Sequence, residues 1–220
     1  MNILAVDTST PQVTAGIVRV APGGEVETLA AQLHLDARAH NEVLVPLIQQ
    51  ALADATLAPA DLDAVVVGCG PGPFTGLRVG MATAASFADA LGVACHGICS
   101  LDALAAGVSE ELVVTDARRR EVYFAAYRDG ERVFGPAVAK PADVLGLIQQ
   151  ELPGFEPATV RGSLDHAELV APGKGTQALP QPENMARVAG FVDGTQEAQP
   201  GPLVPLYLRR PDAAIPKSMR

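Results

Sequence analysis

Two rhythms of apolar residues alternate along the 220-residue chain. Residues 3–6 form a short unbroken apolar run that stops at Asp7 and gives way to the polar turn Thr8, Ser9, Thr10, Pro11. Such a run suits a strand covered on both faces. Residues 13–20 and 26–35 read as two further strands joined at Gly23 and Gly24. Over residues 41–55 the period changes. Leu44, Leu47, Ile48, Ala51 and Leu52 fall at i, i+3, i+4, i+7 and i+8, the stripe of one helix face, with Pro46 near its start. Val65, Val66 and Val67 make a β-branched strand, and Gly68, Gly70, Pro71, Gly72 and Pro73 stop it. A helix over 76–91 comes next, with Thr75 as N-cap and Gly92 as C-cap, and residues 93–98 read as a fifth strand.

The same grammar then returns. Residues 112–114 lead into Asp116, a turn over 117–120, a strand over 121–128, the Asp129-Gly130 hairpin and a strand over 132–138. A helix over 142–152, a strand over 159–161 and a helix over 183–192 complete the second set, with 153–181 rich in Pro and Gly and low in periodicity. Asp7 and Asp116 stand about 109 residues apart, an internal duplication at domain scale. It predicts an α/β fold of two βββαβα half-domains, 1–104 and 105–220. The tail is too apolar over 203–208 to be free, and 203–220 is expected to pack back on the body.

Composition narrows the functions available. A hydrophobic content of 48% is ample for a core, and a net charge of -9 argues against unaided binding to nucleic acid. Three cysteines without Cys-x-x-Cys spacing suggest neither a disulfide framework nor a zinc site, and fit a reducing compartment. The N-terminus lacks the pattern of a signal peptide and no run is long enough to span a membrane, so a soluble cytoplasmic protein is expected. The loop over 68–73 has the strand-loop-helix setting of a phosphate cradle without its letters. No Gly-Lys-Ser/Thr comes after Gly70 or Gly72, and Gly-x-Gly-x-x-Gly from Gly68 meets Pro73. None of His34, His40, His96 and His166 is paired at metal spacing. Ser100, Cys99 and Asp102 have no histidine in a motif relation to them. The run Arg118, Arg119, Arg120, with Arg128 and Arg132, reads either as a solvated hairpin face or as an RNA contact within an assembly.

Two halves that each open on a strand ending in Asp resemble the actin-like ATPase and sugar kinase superfamily, with its ribonuclease H-like (ASKHA) fold. Within it, the segments ILAVDTST, HNEVLVPLIQQAL, GPGPFTGLRVG, SLDAL, DARRREVYFAAY and PLYLRRP, in that order, are similar to the TsaB (YeaZ) family. The resemblance implies a non-catalytic scaffold in the synthesis of threonylcarbamoyladenosine on tRNAs reading codons that begin with A. It also implies the partners: TsaD, which holds the metal and transfers the group, and the ATPase TsaE, with TsaC supplying threonylcarbamoyl-AMP. Contact with tRNA only through the complex goes with it, as does no intrinsic cofactor, with a homodimer in isolation and a nucleotide at the TsaD interface both left open. By the same resemblance the helix pair would pack on its counterpart in TsaD, making Leu44, Leu47, Ile48, Ala51, Arg78, Met81, Ala82 and Ala85 partner-binding. Asp7, Thr8, Ser9, Thr10 and Asp116 would be a degenerate nucleotide site. An actin-like phosphate loop has Asp-x-Gly-Ser/Thr, whereas Ser9 and Ala117-Arg118 come after the two aspartates here. The metal-binding His pair of TsaD matches Ser100 and Leu104, and Leu104 cannot ligate. An active actin-like ATPase and a glycoprotein-directed metallopeptidase are the alternatives.

Overall fold

The protein is described by a computed structural model over residues 1–35, 40–191 and 203–209, with the side chains of His40 and Asn41 outside that description. Two five-stranded mixed sheets carry the chain. In the first, β1 (Asn2–Asp7) runs antiparallel to β2 (Gln12–Val20), which pairs with β3 (Val26–Leu35). On its other side β1 is parallel to β4 (Ala64–Gly68), which pairs with β5 (Ala94–Ile98). In the second sheet β6 (Glu110–Asp116) holds the equivalent central place. It is antiparallel to β7 (Val122–Arg128), next to β8 (Glu131–Ala139), and parallel to β9 (Thr159–Gly162), next to β10 (Gly175–Gln177). The repeated grammar is therefore a repeated topology, strand for strand.

Among the described residues five α-helices cover the sheets: α1 (His40–Asp54), α2 (Phe74–Leu91), α3 (Pro141–Glu151), α4 (Leu164–Val170) and α5 (Pro182–Val188). The runs in β1 and β6 are unbroken because both faces are buried. Leu4 and Val6 pack with Leu44, Ile48 and Ala51 of α1 and Ala84 and Ala88 of α2. Ile3 and Ala5 point the other way, to Met185 and Ala186 of α5 and to Phe191. In β6, Leu112 and Val114 meet α3 and α4 through Val144, Ile148 and Ala167, while Val113 meets Leu101, Leu104 and Tyr127.

The departures from expectation are local. Helix α2 starts at Phe74, and Pro73, not Thr75, is its N-cap residue, with no side-chain capping bond. Its C-terminus is as read: Gly92 is left-handed (φ 69°) and Val93 N–H reaches back to Ala88 O. Pro46 lies inside α1, further from its start than read, and is exposed. Residues 153–181 contain α4 and β10, seven and three residues long, too short for a period to show. Helix α5 ends at Val188, and Val192 of the helix expected there lies outside the described residues. Although it falls beyond the boundary expected at 104/105, α5 packs on the first sheet, so the chain crosses back. The tail does lie on the body over 203–209: Leu203 packs on the first core, Leu206 N–H donates to Cys69 O at 2.8 Å and Leu208 packs on the second. Residues 210–220 lie outside the described residues.

Candidate functional site

Asp7 ends the central strand of the first sheet and is wholly buried. Its Oδ1 accepts from the Ser9 N–H at 2.8 Å and the Ser9 hydroxyl at 2.6 Å, and its Oδ2 accepts from the Ser100 hydroxyl at 2.6 Å. Thr8 donates its hydroxyl to Gly76 O in α2 at 2.7 Å, and Thr10 Oγ1 exchanges hydrogen bonds with the Gln12 backbone. The glycines that give the 68–80 stretch its phosphate-loop look are used up on this turn. A side chain at Gly68 would strike the Asp7 carboxylate and Ser100 hydroxyl, one at Gly72 the Ser9 backbone, and one at Gly80 the Thr8 hydroxyl. Asp7, Thr8, Ser9 and Thr10 thus come together, but packed against a loop of the same chain.

Asp116, at the end of β6, is placed differently, with 26% of its side chain exposed. Its Oδ1 accepts from the Arg118 N–H at 2.7 Å and lies 3.5 Å from His166 Nε2, while His166 Nδ1 is 2.8 Å from the Ser163 hydroxyl. Asp116 and Ser163 open on a cleft of about 410 Å³ between the sheets, shared with Thr10, Gln12, Gln177 and Leu179. No cation is among the described residues lining it, and the Arg118 guanidinium beside it lies 3.8 Å from the Asp116 carboxylate, so a triphosphate entering the cleft would meet a carboxylate first. The Ser163, His166 and Asp116 side chains form a line beside the cleft. The backbone donor beside the hydroxyl, Leu164 N–H, is given to Gln177 Oε1 at 3.2 Å and is lost as an oxyanion donor.

Ser100 points away from Cys99 and Asp102, which face each other. Ser100 turns to Asp7, whereas Asp102 accepts from Tyr127 Oη at 2.8 Å and Arg132 Nη1 at 2.9 Å. Burial pushes the Asp102 carboxyl up, and pushes the Cys99 thiol up to about 12 and those of Cys69 and Cys95 to about 11. Thiols so poised stay protonated and unreactive at neutral pH.

The helix pair needs correction. Leu44, Ile48 and Ala51 are not available to a partner, because the i, i+4, i+7 stripe of α1 is spent on the chain's own sheet and all three are buried there. Leu47 and Met81 are half-buried against the same core; Ala85 is half-buried, and Arg78 and Ala82 are exposed. Two residues were missed. The Phe74 and Tyr207 rings stack with centroids 4.8 Å apart, the Arg78 guanidinium lies 3.8 Å over Phe74, and Arg78 Nε donates to Tyr207 Oη at 3.0 Å. Their signal was present in GPGPFTGLRVG and PLYLRRP, two segments more than 120 residues apart; only the docked tail joins them.

Residues 33–191 match the family model described as TsaD, tRNA N6-adenosine threonylcarbamoyltransferase. An uncharacterized protein of Mycobacterium tuberculosis is 52% identical over 214 residues, covering 96% of this chain and 93% of the relative. The tRNA threonylcarbamoyladenosine biosynthesis protein TsaB of Bacillus subtilis is 30% identical, covering 97% of this chain and 96% of the relative. That of Escherichia coli is also 30% identical, with 87% and 78% covered. The solved structure of YeaZ from Pseudomonas aeruginosa superposes with a TM-score of 0.71 at 26% identity, covering 94% of this chain and 99% of that one. With two mixed five-stranded sheets in the same topology, the chain belongs to the TsaB (YeaZ) family, within the TsaD-type actin-like superfamily.

Proposed function

We propose that the chain serves tRNA threonylcarbamoyladenosine biosynthesis as a non-catalytic subunit that binds a TsaD-type transferase, with a TsaE-type ATPase as a third member. Two relatives named for that pathway support the role. The observation that carries the non-catalytic reading is the closed turn at Asp7, whose two carboxylate oxygens are held by Ser9 and Ser100 under a loop of the same chain. A carboxylate wholly buried under that loop leaves no open approach for a hydrated magnesium ion or for phosphate. At the positions matched to the transferase's metal pair, the Ser100 hydroxyl is engaged by Asp7 and Leu104 is buried.

The partner surface is the outward side of α1 and α2, with Leu47, Arg78, Met81, Ala82 and Ala85; in isolation the same surface supports a homodimer. Ala82 and Ala85 are small, which lets another helix approach closely. Purified chain is titrated with the transferase, comparing wild type with Ala82→Glu and Ala85→Glu. A carboxylate buried unpaired in such an interface costs about 3 kcal/mol or more, more than a hundredfold in Kd. Wild-type affinity in both folded variants would remove the helix pair from the interface, and no binding by wild type would remove the scaffold reading itself.

A further inference from the structure

The tail is held on the body by Leu203 in the first core, by the Leu206 N–H bond to Cys69 O at 2.8 Å and by Leu208 in the second core. Tyr207, fixed between the last two, lies on the start of α2. Its ring stacks on Phe74 at 4.8 Å and its hydroxyl accepts from Arg78 Nε at 3.0 Å. Phe74, Arg78 and Ala82 are successive members of one i, i+4 row of α2, with Met81 and Ala85 beside it, and all five are exposed or half-buried. The tail therefore sits on the outward row of α2, at its N-terminal end. That row is uneven. Ala82 and Ala85 make a shallow seat, whereas Phe74, the Arg78 guanidinium 3.8 Å over it and Tyr207 make a raised end. Although stacked, Phe74 and Tyr207 remain 38% and 39% exposed.

We propose that the docked tail belongs to the transferase-binding surface, with Phe74, Arg78 and Tyr207 as one anchor against which a helix of the transferase abuts. The inference rests on the proposed role as a transferase-binding subunit for its partner, and on the geometry of α2 and the tail for its place. Four residues, about 6 Å along the axis, separate Arg78 from Ala82, and a helix with its side chains is about 10 Å across. A helix seated on Ala82 and Ala85 at the usual crossing angles therefore meets the raised end as well. Area gives a second reason. A stable interface takes about 800 Å² from each partner, and two alanines supply little of it. Stacked rings with a guanidinium fixed against them offer area already ordered before the partner arrives, which lowers the entropy cost of binding. Tyr and Arg are also the residue types that most often carry interface energy.

The transferase is titrated into wild type, Arg78→Ala, Tyr207→Phe, Tyr207→Ala and the Arg78→Ala/Tyr207→Phe pair, with Ala85→Glu marking the seat. Tail docking is read separately from the alkylation rate of Cys99, which with Cys69, Val204 and Leu206 lines a cavity of about 230 Å³ and is uncovered when the tail leaves. Arg78→Ala is expected to weaken binding at least about tenfold. Tyr207→Phe keeps the ring and removes the acceptor that positions Arg78, and should weaken it about threefold, with Cys99 as slow as in wild type. In the pair the Tyr207→Phe loss should vanish, because it acts through Arg78, whereas independent structural effects would add. Wild-type affinity in Arg78→Ala and Tyr207→Phe, beside lost binding in Ala85→Glu, overturns the anchor and leaves the scaffold reading standing. Weak binding seen only in variants whose Cys99 alkylates fast also overturns it, since the tail is then a brace and not a contact. Self-association of the chain lost in these variants at unchanged transferase affinity gives the anchor to a second copy and overturns it for the transferase. No binding by wild type removes the scaffold reading and the anchor together.

Discussion

Asp7 and Asp116 occupy the same place in two copies of one topology, each ending the central strand of its sheet before a turn. They have opposite surroundings. The Asp7 carboxylate is wholly buried and bonded to Ser9 and Ser100 beneath a glycine loop, whereas Asp116 opens on the cleft between the sheets beside His166 and the arginine turn. The difference lies in the segment that leaves the parallel strand of each half. After β4 the chain makes the 68–73 loop, whose glycines let it close on the Asp7 turn. After β9 it passes through Ser163 directly into the short helix α4, which leaves the turn uncovered. A duplicated fold can therefore shut one of two equivalent positions by packing alone, with no change in the aspartate itself.

Stability should separate the two most sharply. Asp7→Ala strands two buried hydroxyls and a backbone N–H, and is expected to cost about 3 kcal/mol, roughly 6–12 °C in Tm for a chain of this size. Asp116→Ala, part-exposed, should cost less than about 1 kcal/mol; equal losses at the two positions would abolish the contrast. Calorimetry reads both.

Cys69 reports on the closed half. Its thiol is raised to about 11 first by burial, then by Cys95 and by the Asp7 charge, so thiolate at pH 8 is on the order of 0.1% and native alkylation is slow. Asp7→Asn should speed alkylation of Cys69, while a cysteine introduced by Asp116→Cys should react readily from the cleft. The sign with pH comes from a folded pKa above the ordinary 9.0. The native state keeps its proton where the unfolded chain loses it, so stability is held below about pH 9 and falls as pH rises through 11. A Tm that does not fall more steeply between pH 9 and 11 in wild type than in Cys69→Ala would count against the buried thiol.

The smallest expected signal is in nucleotide turnover. The isolated chain should hydrolyse ATP at background, with Asp7→Ala making no difference, since the Asp7 turn gives phosphate no approach and the Asp116 turn meets it with a carboxylate. Turnover well above background, lost in Asp7→Ala, would show that the loop opens and that the two halves are less different than their packing indicates.

The sequence by itself determined the repeated strand order, because unbroken apolar runs and a 3.6-residue stripe are local patterns that the covalent chain carries directly. It also carried the family, through segments such as GPGPFTGLRVG and DARRREVYFAAY. The stripe of α1 could not say what it covers. Leu44, Ile48 and Ala51 have the right period for a partner or for a sheet, and only the position of β1 and β2 assigned them inward. The link from Ser100 to Asp7, the return of α5 to the first sheet, and the meeting of Phe74, Arg78 and Tyr207 all join residues far apart in the chain. No period or spacing encodes such contacts. Tertiary packing decided them, because a buried carboxylate must find donors and an open sheet face must find cover wherever the chain can supply them.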